Sequence, residues 1–278
     1  MIRFFRCLFL SAFLLGAGGV HAQIDRATTE SLLRKSGLWE QLGSIAPQAE
    51  SGLQGFFAQA GMTPSAAELA RISSVIRESY AANRLREFSM DVISKKLGAQ
   101  HVPRLQRWFD SPVGKTVTKL EEQASAESVD PQVQMQQGTA LLKNSEPARR
   151  KLLEELVKET STAETWAQIT INTSMAAWHG AASVSAQAPI LSQGEFKAAL
   201  EAQRPQMMQG FSAMALSLFA RAYAPLSTPH LKSYVAFLKS EAGRQYNALG
   251  MEALDAALTQ AAADIGRRLP STKDQANI

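Results

Sequence analysis

The chain has 278 residues, long enough to bury a core without covalent staples, as one large domain or two of ordinary size. Its 29 Lys and Arg nearly balance its 25 Asp and Glu, for a net charge of +4. No run of five or six like charges occurs, which argues against a nucleic-acid-binding arm or a polybasic membrane patch.

The first 22 residues read as a leader. Arg3 and Arg6 form a short basic region, Leu8–Leu15 an apolar run, and Val20-His21-Ala22 places small residues where a signal peptidase reads. The apolar run falls short of the ~20 residues of a membrane span. We therefore expect a signal peptide over 1–22, cleavage after Ala22, a periplasmic protein and no membrane span afterwards; an uncleaved anchor is the rival reading. The only cysteine, Cys7, precedes the apolar run, which argues against a lipoprotein, and it leaves with the leader. The mature chain then has no disulfide in an oxidising compartment and is held by its core.

From there the apolar residues recur at helical spacing, and strand-type alternation is rare. The segment Thr63–Leu97 carries the pattern: Thr63 or Ser65 as cap, Pro64 near the first turn, Glu68 completing a capping box with Ser65, and Leu69, Ile72, Ile76 and Tyr80 along one face, with Gly98 as the stop. The spacing predicts an all-α protein.

Next comes His101–Leu120, HVPRLQRWFDSPVGKTVTKL, which is echoed by His230–Leu249, HLKSYVAFLKSEAGRQYNAL. An offset of 129 residues places His101 on His230, Ser111 on Ser240 and Gly114 on Gly243. It also pairs Leu105 with Tyr234, Trp108 with Phe237, Phe109 with Leu238, Val117 with Tyr246 and Leu120 with Leu249. Thr63 falls on Ser192, and a short insertion pairs Trp39 with Trp166. These matches predict two tandem helical repeats of about 110 residues. The expected division is repeat 1 over 23–127, a linker or connecting helix over 128–145, repeat 2 over 146–269, and a flexible polar tail over 270–278. Val129, Val133, Leu141 and Leu142 could give the connecting segment an apolar face.

The doubled stretch spells a helix–helix corner. Leu105, Trp108 and Phe109 face the core, Ser111 caps the next helix, Pro112 suits its first turn, and Gly114 leaves room for the preceding helix. Val113, Val117 and Leu120 bury the next face. In the second stretch Glu241 stands in place of the proline, where an acid suits the helix N-terminus. Trp108, Gly114, Phe237 and Gly243 are therefore the structural motif residues.

The run Trp108–Lys115, aromatic–x–Ser–Pro–x–Gly–Lys after an amphipathic helix, resembles the bacterial exported-protein family called domain of unknown function 2059. The resemblance covers His101–Ala124 best and Thr63–Ala124 less closely. The second stretch keeps Ser240, Gly243 and Arg244 without the proline, and the doubling departs from the family's usual single copy. The resemblance implies an exported helical protein and brings no catalytic residues with it.

Chemistry-bearing motifs are sparse. Gly114-Lys115-Thr116 ends like a phosphate-binding loop, but Phe109 stands where that motif needs its first glycine. Of the histidines, His101, His179 and His230 remain after cleavage and no two are spaced for a metal, so no metal or cofactor is expected. Ser111 and Ser240 read as caps before they read as nucleophiles. Glu121 and Glu122 align with Gly250 and Met251, and so form no repeated acid pair. The sharper site is an anion site built from Ser111, Lys115, Ser240 and Arg244, where cations and backbone N–H groups meet near a helix start; local neutralisation by Asp110 and Glu241 is the plainer alternative. Met207, Met208, Phe211, Met214, Leu218, Phe219 and Tyr223 read as core, or else as a groove for partner helices or acyl chains.

These observations point to a non-enzymatic binding or scaffolding protein of the bacterial envelope, with an envelope protein or a small anionic or apolar ligand as partner and no nucleic acid. A hydrolase-like enzyme with its site between the repeats is the alternative. It would declare itself by polar groups converging in one cleft and breaking the pseudo-symmetry.

Overall fold

The structure, a computed structural model, describes residues 23–269 apart from 60, 62, 128, 130 and 185–190. The expected leader, 1–22, and tail, 270–278, lie outside the described residues. The described chain is all α-helix, without strands. In order the helices are α1 (Arg26–Lys35), α2 (Leu38–Gln59), α3 (Ala66–Ser79), α4 (Ala82–Lys96), a 3₁₀ turn (Ala99–His101), α5 (Val102–Asp110), α6 (Pro112–Ala126), α7 (Pro131–Lys143), α8 (Pro147–Thr160), α9 (Thr162–Ala182), α10 (Gln193–Ala222), α11 (Thr228–Leu238) and α12 (Glu241–Arg268).

Local chemistry sets many of these boundaries. Ser65 and Ser192 each head a complete capping box, with Glu68 and Glu195 reaching back to the cap's N–H. Ser65, rather than Thr63, is thus the cap of α3, and the offset between the two caps is two residues shorter than the 129 that aligns the corners. The segment 63–97 is two helices instead of one. It breaks at Tyr80-Ala81 without glycine or proline, and Arg84 donates to the exposed carbonyl of Glu78 at the break. The turn lets α4 run back along α12, antiparallel to it, with Arg84 against Asp264 at one end and Lys96 against Glu252 at the other.

Both doubled stretches form corners of the same local geometry. Ser111 Oγ accepts from Gly114 N at 3.0 Å, and Ser240 Oγ accepts from Gly243 N at 3.2 Å. A methyl group on Gly114 would lie 2.0 Å from the carbonyl oxygen of Trp108, and one on Gly243 would lie 2.1 Å from that of Phe237. Only hydrogen fits at either place. Leu105, Phe109 and Val117 are buried, as the amphipathic reading requires.

The corners also meet each other. Trp108 and Phe237, equivalent in the offset, stack at 4.4 Å with planes 5° apart. The cores beyond this contact do not follow the division at 127/146. One cluster joins Leu32, Leu33, Leu42, Leu85, Ile93, Leu105 and Phe109 to Ala242, Tyr246, Leu249, Ala253 and Ala257 of α12. The other joins Leu153, Leu156, Tyr223, Leu231, Tyr234 and Leu238 to Val117 of α6. After its corner, each half therefore sends a helix into the other half's core.

The segment between the halves is a packed helix. Gly138 of α7 sits where an added methyl would meet the backbone of Ser217 at 2.1 Å, and Thr139 Oγ1 hydrogen-bonds Ser217 Oγ at 3.1 Å. Close backbone approach selects this face; Val133 and Leu141 stay exposed, against the sequence expectation, while Leu142 packs partly on the second core. α9 and α12 run side by side in the same direction, Asn247 bonding Thr160 O near their starts and Gly180 facing Ala263 near their ends. No described helix is long and apolar enough to cross a membrane.

Candidate functional site: a cavity around Glu121

Between the two cores, with residues of α6 and α12 in its lining, a cavity of about 780 Å³ opens to solvent. Its wall mixes aromatic side chains, Trp108, Trp166, Phe219, Tyr223, Tyr234 and Phe237 among them, with the charged groups Glu40, Arg86, Glu121, Glu122 and Arg221. Trp108 carries Phe237 on one side and packs near-parallel to Tyr234, 5.9 Å away, so the corner contact doubles as a cavity wall.

One acid stands in this lining at the focus of a hydrogen-bond cluster. Tyr223 donates its hydroxyl to Glu121 Oε1 at 2.5 Å, and Tyr234 donates to the same oxygen at 2.9 Å. Oε2 of Glu121 has no hydrogen-bond partner among the described residues. Among the described residues no cation pairs with the carboxylate: Arg86, on the wall, donates to Trp39 O and lies over the Trp39 ring, while Arg221 binds Gln137 and Glu127. Burial raises the Glu121 carboxyl above its ordinary range; the two tyrosine bonds pull it down in part, and Glu122 beside it pushes it up. Burial first, then the negative charge of Glu121, holds both tyrosine hydroxyls well above their usual range.

Three elements build the cluster. Glu121 continues the face of α6 that carries Val117 and Leu120, and that face enters the second core. Tyr223 ends α10, and Tyr234 lies at mid-length in α11. Glu121 takes the place of Gly250 under the offset, and Tyr234 that of Leu105, so the cluster breaks the resemblance between the halves. Opposite it, Gly250 leaves the wall open: a methyl group there would meet nothing closer than Leu38 Cδ2 at 3.8 Å.

The residues singled out from sequence sit elsewhere. The hydroxyls of Ser111 and Ser240 serve as caps, and Ser111 also donates to Trp108 O at 2.6 Å. Arg244 turns back to the carbonyl of Lys239, and Lys115 is exposed. Asp110 pairs with Lys35 at 2.7 Å, and Glu241 lies 3.9 Å from His101, so neither neutralises the cation of its own corner as expected. The four residues thus stand at two separate corners, and the N–H groups of Gly114 and Gly243 are already bonded. The methionine-rich stretch is only partly core: Met207, Met208, Phe211 and Met214 are half-buried, with Phe211 edge-on to Trp166, while Leu218, Phe219 and Tyr223 line the cavity. Trp39 carries two arginines, unlike Trp166, which faces the cavity. His101 is buried beside Gln100, and His230 is exposed in the first turn of α11. Among the described residues no three His, Cys, Asp or Glu side chains gather as a metal site would require.

Compared with known proteins, the chain matches no family model, no curated protein and no solved structure.

Proposed function

We propose that the chain is a non-enzymatic binding protein of the bacterial envelope, exported to the periplasm, and that it holds a small, largely apolar ligand in the cavity around Glu121. The observation that carries this reading is a space of about 780 Å³, partly walled by aromatic rings, into which the Glu121–Tyr223–Tyr234 cluster is set. That is the usual composition of a ligand site: apolar area for affinity, a few fixed polar groups for orientation. The acid in the cavity disfavours a small anion as occupant. The same reading takes the two corners as copies of one unit, with the cavity formed where the copies exchange helices. It also takes the Trp108–Lys115 motif as a mark of the family called domain of unknown function 2059. A hydrolytic site is less well supported, because the cavity lining holds no histidine among the described residues and the corner serines are engaged as caps.

The test is binding of Nile red, an uncharged dye that brightens in apolar surroundings. The wild type should bind it, and Gly250→Leu, which places four carbons into the open wall, should weaken binding severalfold while the far-ultraviolet circular dichroism stays helical. Equal binding by both proteins, or none by the wild type, contradicts the reading.

A further inference from the structure

We propose that the cavity takes an amphipathic organic cation, an ammonium group on an apolar body, with the charged nitrogen received at Glu121 Oε2. This rests on the binding reading above and narrows its ligand class.

Glu121 is half-buried in the cavity wall with aromatic side chains about it, where a paired cation favours the ionised carboxylate. Oε1 has both tyrosine hydroxyls, and Oε2 has none. The two arginines of the wall are engaged with Trp39 and with Glu127 and Gln137. The described residues thus supply hydrogen bonds to one oxygen and no counter-charge to the group. An ammonium ion supplies both missing parts: a charge, and N–H donors for Oε2. The surrounding rings add to its attraction, since aromatic faces favour a desolvated cation. The rest of the volume is far larger than an ammonium group and is lined by Trp108, Phe219 and Phe237, so the ligand must carry an apolar body. An anionic ligand would meet the field of Glu121 and Glu122, and a neutral one would leave the carboxylate without its counter-charge.

Charge also links binding to protons. The other charged and titratable groups of the cavity wall are Glu122 on α6, Glu40 on α2, Arg86 on α4, Arg221 on α10, Tyr223 just after it, Tyr234 on α11 and Tyr246 on α12. Among them Glu121 is the acid that burial raises, so a cation at Oε2 shifts it toward the ionised form in the pH range where it titrates. Binding of the cation should therefore release protons from the protein.

The experiment is isothermal titration of the full chain at constant ionic strength with hexylammonium chloride, hexanol and sodium hexanoate, repeated in buffers of different ionisation heat. Hexylammonium should bind roughly tenfold or more tighter than hexanol, hexanoate should bind most weakly, and the buffer dependence should show proton release on binding the amine alone. Glu121→Gln keeps an acceptor for both tyrosines; it should bring the amine to the level of the alcohol, abolish the proton release and leave hexanol binding within about twofold. Tyr223→Phe, which keeps the charge, should retain the preference for the amine. If Glu121→Gln does not fold, the wild-type affinity ratio and proton release decide. Equal affinity for amine and alcohol, or an amine preference that survives in folded Glu121→Gln, overturns the cation while the binding reading stands. Absence of binding by amine, alcohol and Nile red together overturns both.

Discussion

Placing a single methyl group at Gly114 or Gly243 should open a corner of the fold. An alanine Cβ at these positions would stand 2.0 Å and 2.1 Å from a backbone carbonyl oxygen, where real contacts stay beyond 3.0 Å. The helices must then separate by about 1 Å, and no flexible side chain can absorb the shift because the obstacle is backbone. Overpacking of this kind costs about 1–3 kcal/mol. Loosening the Ser111 or Ser240 cap adds a further ~1 kcal/mol, and the better helix propensity of alanine returns about as much. The net is a loss of about 2 kcal/mol, a fall in Tm of roughly 4–8 °C for a chain of this length. Trp108 and Phe237 carry the obstructing carbonyls and stack on each other, so either variant should also weaken Nile red binding. Gly210 on α10, around which an added methyl meets nothing within 4 Å, is the control: Gly210→Ala should gain ~0.5–1 kcal/mol and raise Tm. Thermal unfolding followed by circular dichroism compares the three. Corner variants that melt at or above the wild type would refute the close approach.

Glu121→Gln should also change how stability depends on pH. Because burial raises the native carboxyl, the folded protein holds that proton to higher pH than the unfolded chain does. The contribution of Glu121 is full below the unfolded value of about 4.3 and is lost as pH rises through the raised native one. The variant lacks this loss, so its Tm relative to wild type should rise as pH increases from about 4 through the raised native value; a constant difference counts against the raised acid. Removing the caps by Ser65→Ala or Ser192→Ala should cost ~1 kcal/mol each in urea unfolding, while Thr63→Ala should cost nothing measurable, since Ser65 is the cap.

The sequence made the helices legible because their signals are local. The Ser65–Glu68 box and the spacing of Leu105, Trp108 and Phe109 each lie within a few residues and match the structure. The corner was readable because Ser–x–x–Gly names both its cap and its point of close approach. The break at Tyr80-Ala81 was not, because no breaker residue marks it and packing along α12 decides it. The exchange of α6 and α12 between cores is likewise invisible to periodicity, which gives a helix a buried face without saying what covers it.

Glu121 was missed for the same reason. Beside Glu122 it looks like a solvated pair, and its tyrosine partners lie 102 and 113 residues further on. Two signals pointed to it. It falls on the Val113–Val117–Leu120 face, which is otherwise apolar, and it is an acid where the aligned stretch has Gly250. The corner serines carry a different lesson: a hydroxyl that caps its own helix already takes one of the N–H groups that an anion at that helix start would use.

The most direct test of the account is a crystal structure of the wild-type protein grown with iodobenzene, located by the anomalous signal of iodine. The account predicts an iodine site in the cavity bounded by Trp108, Phe219 and Phe237, with Glu121 still receiving both tyrosine hydroxyls. A filled or collapsed cavity with no iodine in it, or Glu121 drawn into an ion pair with Arg86 or Arg221, would contradict the account.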